Sequence, residues 1–244
     1  MSVSEEQAYW TRHSGQAAAF IFYDETEYDL ILSLLGQRDL QGNQLLELGS
    51  GLGVWTANLA QLGVRVFHLD LAPSIVQKAS IAARPCETFG ITADMHHLPT
   101  VEEAFDCVFG SMVLHHAQDH TRLGEEVARV LKTGGRAVFH ENSARNPLLM
   151  LARATLVGRF GIAKRSSPGE HPLRDDEIEA LGTSFRSCEI HVGRMMFAEL
   201  SVMYLLRREG GALFALARRL DRRLHRSCSC LRRLSYFQII VFRK

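Results

Sequence analysis

The segment that runs from Gln44 to Gly53 constrains the fold of this chain more than any other. Its first half is a short apolar run typical of a buried strand, and alternating glycines follow at Gly49, Gly51 and Gly53. Glycine is needed where the backbone turns tightly with a positive φ or where a ligand presses against it. An apolar helical pattern begins at Val54. The segment therefore predicts a strand, a tight turn and a helix N-terminus that can face a ligand.

The spacing of these glycines distinguishes between the known kinds of glycine-rich turn. A dinucleotide fingerprint, Gly-x-Gly-x-x-Gly, needs a glycine at Val54, and a Walker loop needs Gly-Lys-Ser/Thr after the turn; neither is present. The pattern that begins at Glu47, Glu-x-Gly-x-Gly-x-Gly, resembles motif I of the class I S-adenosylmethionine-dependent methyltransferases. This resemblance implies that the turn passes under the methionine part of the cofactor and that Glu47 helps to order it.

Acidic residues follow the next two predicted strands. Residues 64–70 alternate in polarity and end at Asp70, 17 residues after Gly53. A carboxylate at the tip of a second strand is placed to accept hydrogen bonds from ribose hydroxyls. Leu71 is expected to pack against the adenine. A third strand near residues 86–91 leads to Asp94 and Met95, which by the resemblance contact the adenine amino group and ring.

Two further passages extend the resemblance. Residues 105–116 are similar to motif IV, the fourth strand with its exit into the active site, although the Asn/Asp-Pro-Pro-Tyr/Phe version typical of methylation at amide or adenine nitrogen is absent. The passage Arg-Val-Leu-Lys-x-Gly-Gly at 129–135 is typical of the helix that precedes strand five. The motifs occur in the family's order within residues 45–141.

The expected fold is α/β, a doubly wound seven-stranded sheet that is mostly parallel, with an antiparallel last strand, helices on both faces and a helical lid. The 244 residues, 46% of them apolar, are sufficient for one domain. Within it we predict cofactor-covering helices over 1–40, a cofactor-binding core over 41–141, and a substrate-side half over 142–244 with a helical insertion at 194–232.

The candidate site residues form two groups. Three histidines lie near the carboxyl ends of strands four and five and are candidate proton acceptors: His115, His116 and His140. A base helps a hydroxyl acceptor but is not required by an amine. His116 and His120 have a helical metal-ligand spacing, but we predict no metal because methyl transfer needs none. The predicted cofactor-binding residues are Tyr9, Glu47, Gly49, Ser50, Gly51, Gly53, Asp70, Leu71, Asp94, Met95 and Ser111.

The net charge is only +1, but positive and negative residues are unevenly distributed along the chain. From Arg194 onward the chain has 12 Arg or Lys residues and three acids, a local charge of +9, so the first 193 residues carry −8. In this basic region, leucines at 213, 216, 220 and 224 share one helical face. We expect this face to dock on the core and the arginines to remain solvated. The alternatives are an anionic substrate or a membrane surface.

The sequence also bears on location and partners. Five cysteines without framework spacing, an acidic N-terminus and no apolar run of membrane-spanning length predict a cytoplasmic protein. A nucleic-acid partner is not expected, since the chain lacks an aromatic-studded basic groove. The pattern leaves the oligomeric state open.

The predicted function is S-adenosylmethionine-dependent O-, N- or C-methylation of a small-molecule substrate, in natural-product biosynthesis, with S-adenosylhomocysteine as product. The alternatives are an S-adenosylmethionine-binding enzyme with other chemistry, and a membrane-surface methyltransferase with an anionic or lipid-like substrate.

Overall fold

The computed structural model describes residues 5, 7–9, 11, 25–36, 40–157, 171–208 and 210–244. The strands are β1 (Gln44–Leu48), β2 (Arg65–Asp70), β3 (Phe89–Thr92), β4 (Phe105–Ser111), β5 (Leu131–Asn142), β6 (Ser187–Val192) and β7 (Phe237–Arg243). The helices are α1 (Glu25–Leu35), α2 (Val54–Gln61), α3 (Pro73–Ala82), α4 (His120–Val130), α5 (Pro147–Leu156), α6 (Asp175–Gly182), α7 (Phe197–Leu205), α8 (Gly211–Ser227) and α9 (Ser229–Arg232), with a 3-10 turn at Leu114–His116.

The strands form one sheet in the order β3-β2-β1-β4-β5-β7-β6. Pairing is parallel from β3 to β5, and β7 is antiparallel to both β5 and β6. The expected seven-stranded, mostly parallel sheet is confirmed. Strand order reverses between β1 and β4, and in open α/β sheets ligands bind beyond the carboxyl ends of the strands at such a point.

Several predicted boundaries shift by a few residues. β3 begins at Phe89 rather than near Cys86, because the Cys86 N–H donates to Ala83 O in a turn that follows α3. Within residues 1–40, for which helices are predicted, α1 runs from Glu25 to Leu35; residues 12–24 lie outside the described part of the chain.

The core has two layers, one on each face of the sheet. On one face, α4 and α6 cover an apolar cluster that includes Val108, Leu123, Phe139, Leu181 and Phe242. On the other face, α1 and α2 cover a cluster that includes Ile31, Leu59, Phe109, Val138 and Val241. Helices on both faces bury the sheet, as its near-continuous apolar strands require.

A third cluster lies within the connection between β6 and β7. Here α7 and α8 form a helical hairpin around buried Met196, Leu200, Met203, Phe214, Ala217 and Phe237. The carboxylate of Asp221, on α8, accepts the N–H groups of Ala198 and Glu199 at 2.9 Å each and so caps the N-terminus of α7. Since β6 runs parallel to the central strands, this hairpin lies at the carboxyl edge of the sheet.

The expectation that the α8 leucines face the core is wrong. Leu213, Leu216 and Leu220 are 39%, 61% and 49% exposed, and the buried residues of α8 are Phe214, Ala217 and Asp221. The physical reason is that α8 must turn the Asp221 carboxylate toward the unpaired N–H groups of α7. That orientation rotates the leucine face away from the core.

Substitution of Asp221 by alanine should lower the free energy of unfolding by about 1–3 kcal/mol, because it leaves buried N–H groups of α7 without an acceptor. Urea unfolding monitored by circular dichroism measures this change. Asp29, an exposed acid on α1, is the matched control, and Asp29→Ala should shift stability by less than about 0.5 kcal/mol. Equal stability of the two variants would contradict the capping role.

Candidate functional site

The glycine turn after β1 has one open side. Gly49, Gly51 and Gly53 have φ values of 68°, 49° and 79°. A Cβ atom on Gly49 would lie 2.6 Å from Val113 Cγ2, and one on Gly53 would lie 2.5 Å from Ala79 Cα. A Cβ atom on Gly51 would meet nothing within 4 Å. Gly49 and Gly53 are therefore required by packing within the protein, and Gly51 lines open space in which a ligand can lie against the backbone.

Asp70 lies opposite this turn at the end of β2. Its Oδ2 accepts the Gly51 N–H and its Oδ1 accepts the Ala72 N–H, both at 3.2 Å. Burial raises the pKa of Asp70, although these amide hydrogen bonds act in the opposite direction. The contact fixes the carboxylate beside the open side of the turn.

The described part of the N-terminal segment reaches the same place. Gln7 Nε2 donates to Leu71 O at 3.0 Å, and half-buried Tyr9 lies in the same helical stretch. Leu71 itself is half-buried. This contact places residues 7–9 over the end of β2, where they can cover a ligand.

Glu47 is buried beneath the turn. Thr56 Oγ1, in α2, donates to Glu47 Oε2 at 2.5 Å. Burial raises the pKa of Glu47 to about 8, the Thr56 hydrogen bond opposes this rise, and the nearby Asp70 carboxylate adds to it. Ser50, also buried, is held by its N–H to Leu69 O at 3.0 Å.

Asp94 and Met95 follow β3 near the same edge. Asp94 Oδ1 lies 2.9 Å from His96 N and 2.7 Å from His96 Nδ1. Burial disfavours the charged form of Asp94, but the His96 hydrogen bonds outweigh it and hold the pKa below its usual value. Met95 is half-buried against the apolar cluster on the α4 face.

A buried carboxylate from β5 organises the turn after β4. Glu141 Oε1 accepts the N–H groups of Val113 and Leu114 at 2.6 Å each, and Glu141 Oε2 lies 2.7 Å from His115 Nδ1. Met112, at the start of this turn, has a φ of 56°. The side chain of His115 is only 2% exposed. The structure thus places His115 in the support of the turn rather than in open space.

His116 lies in the same turn, next to His115. It is half-buried, and its ring centroid is 4.3 Å from that of His115. Among the groups that act on Asp70, the His116 imidazole makes the smallest contribution and lowers the pKa of that carboxyl.

His140 joins a chain of polar groups on the α1 face of the sheet. Its Nδ1 lies 3.2 Å from Ser111 Oγ, at the end of β4. Its Nε2 lies 3.8 Å from Glu27 Oε1, on α1. Phe237 packs on the imidazole with ring centroids 4.6 Å apart. Ser111 is half-buried whereas His140 and Glu27 are buried, so the chain runs from the crevice inward.

Sequence reasoning missed Glu27. The sequence does indicate that Glu27 is buried, because Glu27, Ile31 and Leu35 are spaced four apart and share one face of α1. All three are buried in the structure. An acid at a core position of an amphipathic helix is costly to bury unless it has a partner. The partners are the Arg194 N–H, at 2.5 Å, and His140.

No metal centre is found among the residues that the structure describes, where no three His, Cys, Asp or Glu side chains are grouped to bind an ion. His120 Nε2 instead lies 3.1 Å from Leu114 O. Within these same residues, no helix combines the length and the apolar character needed to cross a membrane.

Comparison with known proteins agrees with this geometry. Residues 46–139 match the family model of the methyltransferase domain. This segment, 94 of the 244 residues, is therefore similar to the methyltransferase domain. The match extends from β1 to β5 and so includes the glycine turn, Asp70, Asp94 and the turn after β4.

Relatives of the methyltransferase domain include enzymes of cofactor biosynthesis. The ubiquinone biosynthesis O-methyltransferase of Xanthomonas oryzae pv. oryzae is 30% identical over 144 residues, 56% of this chain and 57% of that protein. The biotin biosynthesis bifunctional protein of Cellvibrio japonicus is 37% identical over 98 residues, 40% of this chain and 19% of that protein. The aligned part of the chain spans between 19% and 57% of the lengths of these curated relatives.

A solved structure shares the whole fold. Magnesium protoporphyrin IX methyltransferase from Synechocystis PCC 6803, crystallised with bound SAH (S-adenosylhomocysteine), aligns with a TM-score of 0.65 at 15% sequence identity, and the alignment covers 100% of both chains. The likeness in fold therefore extends beyond residues 46–139.

The buried position of Glu47 predicts how stability depends on pH. The pKa of Glu47 is raised in the folded protein, so the unfolded chain loses this proton first and stability falls as pH rises from about 4.5 to about 8. Glu47→Gln removes the ionisation. Relative to the original protein, the variant should gain stability between pH 5 and pH 8, on the order of a few kcal/mol. Urea unfolding at both pH values measures it.

Exposed Glu179 provides the control for this experiment, since Glu179→Gln should shift stability equally at the two pH values. If Glu47→Gln also shows no difference between pH 5 and pH 8, Glu47 ionises normally and the argument from its burial fails.

Proposed function

We propose that the protein transfers a methyl group from S-adenosylmethionine to a hydroxyl of a small-molecule acceptor. The observation that carries the proposal is the open side of the glycine turn at Gly51, with the Asp70 carboxylate fixed opposite it. S-adenosylmethionine, when bound, supplies an electrophilic methyl group on a sulfonium centre.

The residues around the turn fit this cofactor. Asp70 Oδ2 accepts the Gly51 N–H and Oδ1 accepts the Ala72 N–H, and the carboxylate fixed in this way lies beside the open side of the turn, where ribose hydroxyls can also donate to it. Asp94 Oδ2 has no closer described partner than His97 Nδ1 at 3.9 Å and can accept the adenine amino group. Met95, Leu71 and Tyr9 provide apolar surface for the adenine, and Glu47, Gly49, Ser50 and Gly53 shape the turn beneath the methionine part.

The proton of the acceptor hydroxyl passes to the Ser111–His140 pair. Ser111 is the member of the pair that reaches the crevice, and its hydroxyl hydrogen-bonds with His140 Nδ1. Glu27, 3.8 Å from Nε2, stabilises the imidazolium that forms. A positioned base contributes typically about 10²–10⁴-fold to the rate, and near-attack positioning contributes more.

The other two histidines have supporting roles in this proposal. His115 holds the turn after β4 through Glu141, and His116 shields the cofactor beside Asp70. An oxygen acceptor is favoured because a buried base pair at the end of β5 is useful only for a group that must lose a proton. The O-methyltransferase named among the relatives supports the same choice.

The cofactor assignment is tested by binding. Asp70→Ala removes the ribose acceptor and Gly51→Val fills the open side of the turn, so each should weaken S-adenosylmethionine binding more than about tenfold. Isothermal titration calorimetry on the folded variants measures the Kd. Asp29→Ala and Gly210→Val, an exposed acid and an exposed glycine with open surroundings, are the matched controls. Unchanged affinity in Asp70→Ala and Gly51→Val would refute the cofactor site.

The proton acceptor is tested by kinetics. His140→Gln should lower kcat by about 10²–10⁴-fold without a change in the Kd for S-adenosylmethionine. Formation of S-adenosylhomocysteine with a panel of phenolic and quinol acceptors is the assay, and it also distinguishes methyl transfer from other chemistry on the same fold. His191→Gln, on β6, is the control. If His140→Gln keeps the full rate, another group removes the proton, and His116 is the next candidate.

A further inference from the structure

Exposed apolar side chains are concentrated at one part of the molecule. Of the twelve large hydrophobic residues that are exposed in the described part of the chain, eight lie in α5, in α7 and its C-terminal residue, and in α8. None of the ten residues of α5 is buried, and Leu148 and Leu151 on this helix are 58% and 60% exposed. Exposed apolar side chains concentrated in neighbouring elements in this way mark an interaction site.

These helices are neighbours at the carboxyl edge of the sheet. Leu149 of α5 packs against the buried cluster of the α7–α8 hairpin. α5 follows β5 directly, and the hairpin lies between β6 and β7. The proposed acceptor crevice opens at this same edge.

The residues around α8 are arranged in sectors. At about 100° per residue, buried Phe214, Ala217 and Asp221 form one stripe, and exposed Leu213, Leu216 and Leu220 form the adjacent one. The remaining sector, beyond the leucines, is basic and contains Arg219, Arg222, Arg223 and Arg226, all exposed. None of these four arginines makes an ion pair with a described residue.

The two acids of α7 and α8, Glu199 and Asp221, point inward. Glu199 and Asp221 are both fully buried, where Asp221 caps α7 and Glu199 pairs with Arg218 at 3.3 Å. Among the described residues of α7 and α8, the outer surface therefore carries positive charge beside exposed leucines and no exposed acid.

We propose that α5 and the α7–α8 hairpin form a docking surface for an anionic lipid bilayer. The leucines enter the boundary between headgroups and acyl chains, and the arginines contact lipid phosphates, which is the arrangement of interfacial amphipathic helices. Nucleic acid would use the arginines but would leave the leucines in water. If a partner contacted only the leucines, the absence of exposed acids among the described residues of α7 and α8 would have no explanation.

Docking at this edge brings the acceptor crevice to the membrane. An apolar acceptor that partitions into the bilayer can then enter the site without crossing water. This consequence rests on the proposed function, whereas docking itself does not depend on it.

Co-sedimentation of the full-length protein with vesicles tests the proposal. The protein should bind vesicles made of equal parts phosphatidylcholine and phosphatidylglycerol at least about tenfold more tightly than vesicles of phosphatidylcholine alone, and salt should weaken the binding. Two triple variants should each lose at least about tenfold in binding: Leu213→Ser with Leu216→Ser and Leu220→Ser, and Arg219→Gln with Arg222→Gln and Arg223→Gln.

The double variant Ile81→Ser with Val101→Ser removes two exposed apolar residues elsewhere and should bind like the original protein. Circular dichroism and S-adenosylmethionine titration verify that every variant is folded and has its cofactor site, so loss of docking is distinguishable from failure of the proposed function. Three results would overturn the proposal: no binding to anionic vesicles, equal binding by all variants, or a dimer in light scattering that only the leucine variant dissociates.

Discussion

The buried carboxylate of Glu141 connects the two halves of the site. It accepts the N–H groups of Val113 and Leu114 and contacts His115, so it fixes the turn after β4 from the neighbouring strand. Val113 in that turn packs where a side chain on Gly49 would have to lie. The position of the glycine turn against β4 thus depends on a carboxylate in β5. Removing one partner of such a buried network leaves the other polar groups without hydrogen bonds, which is costly.

A second feature of the molecule is the cost of placing acids in its interior. Burial raises the pKa of Glu47. Glu27 accepts the Arg194 N–H and lies near His140, and Asp221 accepts N–H groups at the start of α7. Each solution serves a different purpose. Glu47, whose pKa is raised, lies in β1 beside the glycine turn, and acids with perturbed pKa values are typical of functional sites. Asp221 orients α8 and thereby decides which residues of that helix meet the solvent.

The distribution of apolar surface links the site to its surroundings. The candidate site is built on β1, β2, β4 and β5, whereas the exposed leucines lie on helices that follow β5 and β6. The common domain ends within β5, so the docking surface belongs to the part of the chain outside the match to the family. This division suits a fold in which cofactor chemistry is shared and access to the acceptor differs between relatives.

The sequence alone determined the order of strands and helices, the glycine turn and the acids at the ends of β2 and β3. These features depend on local patterns, since period, glycine and strand-end position are visible in a few adjacent residues. It did not reveal that Glu27 reaches His140, that Glu141 holds the turn after β4, or that the leucines of α8 face outward. Such contacts join residues that are far apart in the sequence. Glu27 is 113 positions from His140 and 167 positions from Arg194. The helical pattern of α8 has two apolar stripes, and only the requirement of α7 for the Asp221 carboxylate decides which of them is buried.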